Sequence, residues 1–295
     1  MRIFITGASS GIGAEMAKIF AARGDTVGLV GRSEEKLESV LAALPAGEHR
    51  LYALDVTDRK ALIDAAADFE AHGPTDTVIA NAGISIGVKT EYYEDLDVLE
   101  RIYRTNVFAM ACTFHAFIDP MRRRGRGHFV GTGSVAGIRG LPGSEAYCSS
   151  KAAVISYLES LRNDVRPYGI DVTTISPGFV KTPLTAKNPY KMPFLLEADE
   201  FARRAVKAID AHVSYRTIPW QMGVLSKILR LLPNAVFDKA VAGRGEKPRA
   251  KDLLDEPRKK RGERHVSGCA FFLSLFQWTK SPVPIKKSSD LLATV

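Results

Sequence analysis

The sequence is poor in cysteine, with three among its 295 residues: Cys112, Cys148 and Cys269. They are odd in number and form no C-x-x-C pair, so neither a disulfide framework nor a metal site is predicted. This fits a reducing compartment, and we expect a cytoplasmic protein. Long apolar runs are also missing. The run CAFFLSLFQW near the C-terminus has ten residues, whereas a membrane-spanning helix needs about 20. The N-terminal MRIFITG shows no signal-peptide pattern.

Charge is unevenly distributed along the chain. The formal net charge is +8, and residues 245–295 hold eleven Lys or Arg against six Asp or Glu. Because the basic balance belongs largely to this end, no nucleic-acid partner is predicted. From Gly243 onward the sequence is charged or rich in Pro, Lys and Ser and lacks periodicity. We therefore expect one folded domain over residues 1–243 and a basic, disordered tail over 244–295.

The full sequence is 45% hydrophobic. Before residue 243, short β-rich runs alternate with helical patterns. Helix-like segments such as GAEMAKIFAARG and SEEKLESVLAAL, the latter with Ser33 as a candidate N-cap, lie between these runs. The alternation predicts an α/β fold with a parallel sheet covered on both faces. Such sheets bind ligands beyond the carboxyl ends of their strands. The six predicted strands lie in RIFITG, TVGLVG, RLYALDV, TDTVIANAG, GHFVGTGS and IDVTTISPG.

A glycine-rich loop, TGASSGIG, follows the first strand at residues 6–13. Glycine permits positive φ and close backbone approach, and the following helix N-terminus suits a pyrophosphate. The spacing is G-x-x-x-G-x-G rather than the commoner G-x-G-x-x-G, and a tight turn without ligand is the alternative. The residues predicted to line a dinucleotide are Gly7, Ser9, Ser10, Gly11, Ile12 and Gly13.

The second strand ends in LVGRS and offers no carboxylate for the ribose hydroxyls of NAD. Arg32 stands there instead, and a guanidinium can pair with a 2′-phosphate. The sequence therefore favours NADP over NAD. The alternative is that Arg32 is a solvated loop charge and cofactor selectivity is loose.

Further motifs follow in order: ANAG at 80–83, TNVFA at 105–109, GTGSVAG, the Y-x-x-x-K of Tyr147 and Lys151, and SPGFVKTP. With them the chain resembles the short-chain dehydrogenase/reductase family, in its classical form, over about residues 1–240. The resemblance implies a Rossmann-type doubly wound sheet and an enzyme that transfers a hydride between NADP(H) and a carbonyl or secondary alcohol. It also implies a small-molecule substrate and a homodimer or homotetramer.

The resemblance assigns catalytic roles to Asn106, Ser134, Tyr147 and Lys151. Tyr147 donates or accepts the proton, Ser134 binds the substrate oxygen, and Asn106 holds a water beside Lys151. Residues four apart share a helix face, and the Lys151 ammonium is expected to lower the pKa of Tyr147. Tyr147 and Lys151 also contact the cofactor. The remaining cofactor positions implied are Asp55, Val56, Asn81, Ala82, Gly83, Pro177, Gly178, Val180 and Thr182.

Residues 183–200, PLTAKNPYKMPFLLEADE, are predicted to form an apolar flap on the substrate side, which suggests a hydrophobic substrate. The alternative is that they pack on the next helix. An amphipathic helix over 224–232 is expected to pack within the protein. Alternatively, this helix forms a wall of the substrate pocket, contacts another subunit or lies on a membrane surface. A membrane partner is not favoured.

Two other functions stay open. One is a 3-oxoacyl-thioester reductase. Such an enzyme needs a basic patch at the pocket mouth to bind a phosphopantetheine carrier, and Arg122–Arg124 is a candidate for that patch. The other is a non-catalytic dinucleotide sensor. It is less favoured because all four catalytic positions are filled.

Overall fold

The computed structural model describes residues 1–186, 188–243 and 245–255, with side chains as far as residue 252. The predicted disorder of residues 256–295, including Cys269 and the CAFFLSLFQW run, lies outside the described residues. Met1–Asp255 forms one compact unit by itself.

The strands form a seven-stranded parallel sheet and a separate two-stranded ribbon. The sheet strands are β1 (Arg2–Thr6), β2 (Thr26–Gly31), β3 (Arg50–Ala53), β4 (Thr77–Ala80), β5 (Gly127–Thr132), β6 (Ile170–Pro177) and β9 (Tyr215–Ile218), and the ribbon strands are β7 (Val180–Lys181) and β8 (Leu196–Glu197). The sheet order is β3-β2-β1-β4-β5-β6-β9. The strand order reverses between β1 and β4, and this reversal is where doubly wound sheets bind dinucleotides. The predicted Rossmann-type sheet is confirmed.

Helices connect the strands. They are α1 (Gly11–Ala22), α2 (Glu34–Ala42), α3 (Arg59–Ala71), α4 (Asp95–Tyr103), α5 (Ala109–Arg124), α6 (Glu145–Val165), α7 (Ala198–Asp210), α8 (Trp220–Leu231), α9 (Asn234–Val241) and α10 (Ala250–Asp255). A π-helical turn, Arg104–Phe108, joins α4 to α5. Ser33 caps α2 as predicted, since its hydroxyl accepts the Lys36 N–H at 3.4 Å.

Alternation along each strand sends side chains into two cores, one on each face of the sheet. Ile3 and Ile5 of β1 face α1, α2 and α7, where Phe20 and Phe201 are fully buried. Phe4 faces the other way, into the core formed with α3, α5 and α6. Because both faces are covered, the open end of the sheet at the strand carboxyl termini is left for ligands.

The sequence assigned residues 244–255 to the tail, whereas residues 245–249 contact the rest of the domain. The Gly87 N–H donates to the Pro248 carbonyl at 2.9 Å, and Arg249 pairs with Asp95 at 2.8 Å. These bonds supply backbone and ionic partners that periodicity along the chain does not reveal. We call residues 245–249 the strap.

Helix α8 begins four residues earlier than predicted and packs by one face only. Leu225, Leu229 and Leu232 are half-buried. Large apolar side chains remain exposed on it at Trp220, Val224, Ile228 and Leu231. Among the helices of the described residues, none has the length and apolar character needed to cross a bilayer.

Candidate active site

The glycine loop between β1 and α1, residues 6–13, fits a dinucleotide, and we call it the cradle. Gly7 and Gly11 have φ of +68° and +57°, which only glycine adopts without strain. A Cβ at Gly13 would overlap the Gly7 carbonyl. Ser10 is extended and does not use its side chain to cap α1. The first N–H groups of α1 are thus left for a pyrophosphate, while the half-buried Ile12 packs on the core below.

Asn81 fixes the ends of three strands beneath this loop. Its amide donates to the carbonyls of Thr6 and Gly7 at 3.3 and 3.2 Å, and the Thr132 hydroxyl donates to its oxygen at 3.4 Å. The Thr6 hydroxyl accepts the N–H groups of Asn81 and Ala82 at 3.1 and 3.2 Å. Asn81 therefore sets the separation of the glycine loop from the Ala82–Gly83 turn.

Arg32 is exposed at the end of β2 and lines a cavity of about 410 Å³ with Arg101, Ser85 and Lys247. No ion pair involves Arg32 within the described part of the chain. Because no carboxylate of the described residues lines this cavity, the Arg32 guanidinium is available to pair with a bound anion. Ser9 lies against Gly31, since a Cβ at Gly31 would stand 3.1 Å from the Ser9 Cβ.

Two of the predicted cofactor positions, Asp55 and Val56, lie beyond β3. Asp55 is exposed, and its carboxylate accepts the Thr57 N–H at 2.9 Å and the Thr57 hydroxyl at 2.8 Å. Val56 is buried beside it. The turn holds the Asp55 carboxylate at the sheet edge while a second oxygen stays free of these bonds.

The loop after β6 closes on the glycine loop. A Cβ at Gly11 would stand 3.2 Å from the Thr182 methyl group. The Gly178 N–H donates to the Ile218 carbonyl at 2.8 Å, and Val180 is buried. Thr182 thus lies against the glycine loop, and the other predicted cofactor positions of this segment are Pro177, Gly178 and Val180.

Tyr147, in the first turn of α6, is hydrogen-bonded to Ser134, which follows β5. Burial raises the pKa of Tyr147 to about 12, and the Ser134 hydrogen bond offsets part of the rise. The sequence predicted that Lys151 would lower this pKa, whereas the pKa is raised and burial is its largest cause. The Lys151 ammonium stands 6.0 Å from the Tyr147 ring centroid, so desolvation dominates. The phenol is protonated at neutral pH.

Lys151 is buried one turn further along α6, and its ammonium donates to the Thr132 carbonyl at 2.7 Å. Burial lowers its pKa to about 8. That value leaves the group mostly charged at neutral pH but ready to lose a proton just above it. The Thr132 bond aims the ammonium at the carboxyl end of β5, toward Gly83, whose Cβ would stand 3.6 Å from it.

Asn106 is fully buried in the π-helical turn. Its oxygen accepts the Ile84 N–H at 2.8 Å, and its amide donates to the Ile84 carbonyl and the Ser150 hydroxyl, each at 3.0 Å. A π turn shifts helix register by one residue and recurs at functional sites. Here it turns Asn106 toward Gly83, whose Cβ would lie 3.3 Å from the Asn106 oxygen.

The structure thus brings the four predicted catalytic residues to one end of the sheet, beside the cradle. A family model for short chain dehydrogenase matches residues 1–192. A Myxococcus xanthus protein named "Uncharacterized oxidoreductase" is 41% identical over 243 residues, which cover 80% of this chain and 94% of that protein. The chain belongs to the short-chain dehydrogenase family. It is an NAD(P)-dependent dehydrogenase or reductase.

Two solved structures resemble this short-chain dehydrogenase closely. A short-chain dehydrogenase from Sphingobium yanoikuyae in complex with NADPH has a TM-score of 0.68 and 25% identity, covering 79% of this chain and 97% of that one. The closed form of a serine dehydrogenase complexed with NADP+ has a TM-score of 0.68 and 26% identity, covering 74% and 94%.

The predicted flap of this dehydrogenase spans two environments. Tyr190 lies close enough to Tyr147 to influence its titration, and its ring meets Phe179 at 6.3 Å between centroids. Phe194 and Leu195 are about half exposed. Leu196 packs against the core that contains the buried side chains of α7. One part of the segment therefore reaches Tyr147, one part faces outward, and one part packs with α7 as the alternative predicted.

The basic run Arg122–Arg124 lies at the wrong end of the sheet for a pocket mouth. It ends α5 just before β5 begins, whereas the site lies where β5 ends. Arg122 pairs with Asp119 at 3.0 Å, Arg123 also pairs with Asp119, and Arg124 pairs with Glu70. The observation that favoured the thioester reductase is removed by this placement.

Sequence reasoning missed three groups of this site. The Thr132 carbonyl and the Ser150 hydroxyl orient Lys151 and Asn106, and a strand-end carbonyl carries no sequence signal. Lys247 of the strap lies with its ammonium 5.5 Å from the Tyr147 ring centroid. Lys247 was missed because it lies in the segment that the sequence composition predicted to be a disordered tail.

Proposed function

We propose that the protein is an NADP(H)-dependent oxidoreductase that interconverts a hydrophobic carbonyl compound and the corresponding secondary alcohol. The observation that supports it most is the position of the Tyr147 hydroxyl, which is hydrogen-bonded to Ser134 at the end of the sheet that carries the cradle. A carbonyl oxygen between the two hydroxyls would meet two hydrogen-bond donors as it gains negative charge.

When bound, the nicotinamide supplies or accepts the hydride at the carbonyl carbon. In reduction, Tyr147 gives its phenolic proton to the carbonyl oxygen, and the Ser134 hydroxyl stabilises the same oxygen. Lys151 stabilises the phenolate that is left and can help restore its proton. Asn106 fixes the Ile84 turn and the Ser150 hydroxyl next to that route. In oxidation each proton transfer runs in reverse.

The preference for NADP rests on the end of β2. Arg32 is exposed there, lines the cavity, and faces no carboxylate in the lining described. A 2′-phosphate would gain a charge-assisted contact at this position. Two of the similar solved structures carry NADPH or NADP+, which agrees with this choice.

The hydrophobic character of the substrate rests on the flap. Tyr190 and Phe179 lie on the Tyr147 side, where an apolar surface would exclude water from the reacting atoms. The cytoplasmic location and the homodimer or homotetramer stay predictions.

Replacing Tyr147 by Phe tests the catalytic role. We expect kcat to fall at least about a hundredfold, because general acid catalysis contributes roughly 10²–10⁴, while NADPH still binds. The assay is a panel of ketones and aldehydes followed by NADPH absorbance. Tyr157→Phe is the matched control, since it removes a second hydroxyl from the same helix away from Ser134. If Tyr147→Phe keeps more than a tenth of the wild-type kcat, or if no carbonyl compound is reduced by the wild type, the proposal fails.

Replacing Arg32 by Ala tests cofactor choice. We expect the Kd of NADPH to rise roughly ten- to a hundredfold, as losing one charge-assisted contact does, with the Kd of NADH nearly unchanged. Fluorescence titration measures both. Arg126→Ala removes an exposed arginine at the opposite end of the sheet and should change neither. Equal losses for the two cofactors would show that Arg32 does not read the 2′-phosphate.

A further inference from the structure

The strap is held against the site by contacts at both ends. Glu246 pairs with Lys89 at 2.8 Å, and the Pro248 carbonyl accepts the Gly87 N–H at 2.9 Å. Arg249 pairs with Asp95 at 2.8 Å and with Glu94 at 3.0 Å. The strap therefore has a defined path across the loop that follows β4.

Two glycines leave room for this path. A Cβ at Gly87 would overlap the Lys247 carbonyl, and a Cβ at Gly143 would stand 2.9 Å from the Glu246 Cβ. Gly245 at the other end lies beside the flap, since its Cβ would stand 3.8 Å from Pro189 and Tyr190. The strap and the flap thus meet over the first turn of α6.

This path carries one ammonium to the catalytic tyrosine. The Lys247 ammonium stands 5.5 Å from the Tyr147 ring centroid, slightly nearer than Lys151 at 6.0 Å. It donates to the Ser85 hydroxyl at 2.6 Å. Ser85 is neutral, so this bond leaves the lysine charge uncompensated.

The acids around the strap already have cationic partners. Glu246 is paired with Lys89, and Glu94 and Asp95 are paired with Arg249. Within residues 1–186, 188–243 and 245–252, no carboxylate lies within ion-pair distance of Lys247. A partly buried ammonium without a carboxylate is costly to hold beside an active site, and a bound anion would repay that cost.

We propose that Lys247 is an anion-binding residue of the active site, which pairs with a carboxylate or phosphate group presented beside Tyr147. Two groups could be the anion that pairs with Lys247: a carboxylate on the carbonyl substrate, or a phosphate of the cofactor. The position against the Tyr147 ring favours the substrate, which makes oxo acids with an apolar chain the preferred class. This rests on the proposed carbonyl chemistry.

Burial lowers the pKa of Lys247 to about 8, so the group is mostly charged at neutral pH and can bind an anion there. The titratable groups that face it are Tyr147 and Cys148 on α6, with Tyr190 of the flap and Lys151 beyond the tyrosine. Cys148 raises the pKa of Lys247 and so offsets part of the effect of burial, while Arg32 and Arg101, which line the same cavity, add positive charge. Anion binding is therefore expected to weaken as pH rises through about 8.

The test compares straight-chain oxo acids with their methyl esters, which differ in one charge. Lys247→Met keeps the length of the side chain and removes the ammonium, and Lys247→Arg restores a charge. For Lys247→Met we expect kcat/KM with an oxo acid to fall roughly ten- to a hundredfold and with its ester to change less than about threefold. Lys247→Arg should keep most of the oxo-acid activity. Since Lys247 is partly exposed, both variants should fold, and melting temperature checks this.

The second arm measures the Kd of NADPH by fluorescence titration. A weaker Kd in Lys247→Met that Lys247→Arg restores, with acid and ester affected alike, would support the proposal and assign the anion to the cofactor. An oxo-acid-specific loss with an unchanged Kd assigns it to the substrate. No change in either quantity, or losses in Lys247→Arg as large as in Lys247→Met, would overturn it.

A readout without turnover separates this inference from the proposed function. An oxo acid should raise the melting temperature of the wild type, and the ester or the Lys247→Met protein should show no such rise. If nothing is reduced by the wild type, the carbonyl chemistry fails while this shift still tests the anion subsite. If ketones are reduced but acid and ester behave alike in every variant, with the Kd of NADPH unchanged, only the subsite fails.

Discussion

At the residue scale, the site places two groups with oppositely shifted pKa values side by side. Burial raises the pKa of Tyr147 to about 12 and lowers that of Lys151 to about 8. Desolvation disfavours the charged form of each group, so both are pushed toward neutrality. A neutral phenol suits the donor needed for carbonyl reduction. The oxidised nicotinamide would add a positive charge and favour phenolate for the reverse reaction.

These shifts predict how reduction depends on pH. We expect kcat/KM with a neutral ketone to stay level from pH 6 to 7 and to fall as pH rises through about 8, where Lys151 loses its proton. Tyr147 remains protonated throughout this range and adds no second fall. Initial rates at saturating NADPH between pH 6 and 10 measure this.

Lys247 also has its pKa lowered to about 8, so the profile needs a control. The same profile in Lys247→Met should be unchanged for a neutral ketone, because that substrate makes no use of the second ammonium. A level profile to pH 10 in the wild type would contradict the role of Lys151.

The four proposed catalytic positions come from the motifs that carry the family resemblance, and each of these motifs is a local pattern. Tyr147 and Lys151 are one helical turn apart, and Ser134 follows a strand. The direction of the Tyr147 shift could not be read. It depends on the desolvation of the phenol, and the flap and the strap that meet over it come from far along the chain.

At the element scale, the strap depends on one buried carboxylate at the start of α4. Asp95 is 1% exposed, and it accepts the Lys89 N–H and the Arg249 guanidinium, each at 2.8 Å. Burial acts against its ionisation, but these two partners outweigh burial and hold the pKa of Asp95 below its usual value. The stability that it contributes is present at neutral pH and is lost as pH falls through the lowered pKa.

We therefore expect Asp95→Asn to release the strap at pH 7. The neutral amide cannot compensate Arg249, so residues 245–252 should exchange their amide hydrogens at least about tenfold faster, as locally opened segments do. Hydrogen exchange followed by mass spectrometry measures this. Asp97→Asn, an exposed change on the same helix, should leave the exchange unaltered. Equal protection in Asp95→Asn and the wild type would mean that the ion pair does not hold the strap.

Most elements of the sheet follow from the sequence because buried parallel strands are continuous apolar runs. The exception is β9, Tyr215–Ile218, which has four residues and an Arg and a Thr among them. It is a strand because the edge of β6 pairs with it, and a local pattern does not report such pairing. The same reason hides the strap, whose partners lie more than 150 residues away in Ser85, Glu94 and Asp95.

At the scale of the whole molecule, the compact unit extends to Asp255 rather than to Gly243. A chain ending at Gly243 would keep the cradle and the four proposed catalytic residues. It would lack the strap, and with it Lys247 and the partners of Asp95 and Gly87. Comparing a chain that ends at Gly243 with one that ends at Asp255 therefore tests what the strap contributes when the rest of the site is present in both.

We expect a chain of residues 1–255 to match the full-length protein within about threefold in kcat and in kcat/KM for every substrate. A chain of residues 1–243 should keep its kcat with the methyl ester of an oxo acid but lose roughly ten- to a hundredfold in kcat/KM with the acid, as the loss of one charged contact predicts. Steady-state assays of the three proteins with the same acid and ester pair measure this, and melting curves check that each is folded. Because α8 and α9 are present in both truncations, a difference between them belongs to residues 244–255. If residues 1–243 treat acid and ester as the full-length protein does, the strap does not select the substrate. If residues 1–255 already show the loss, the selecting residues lie beyond Asp255.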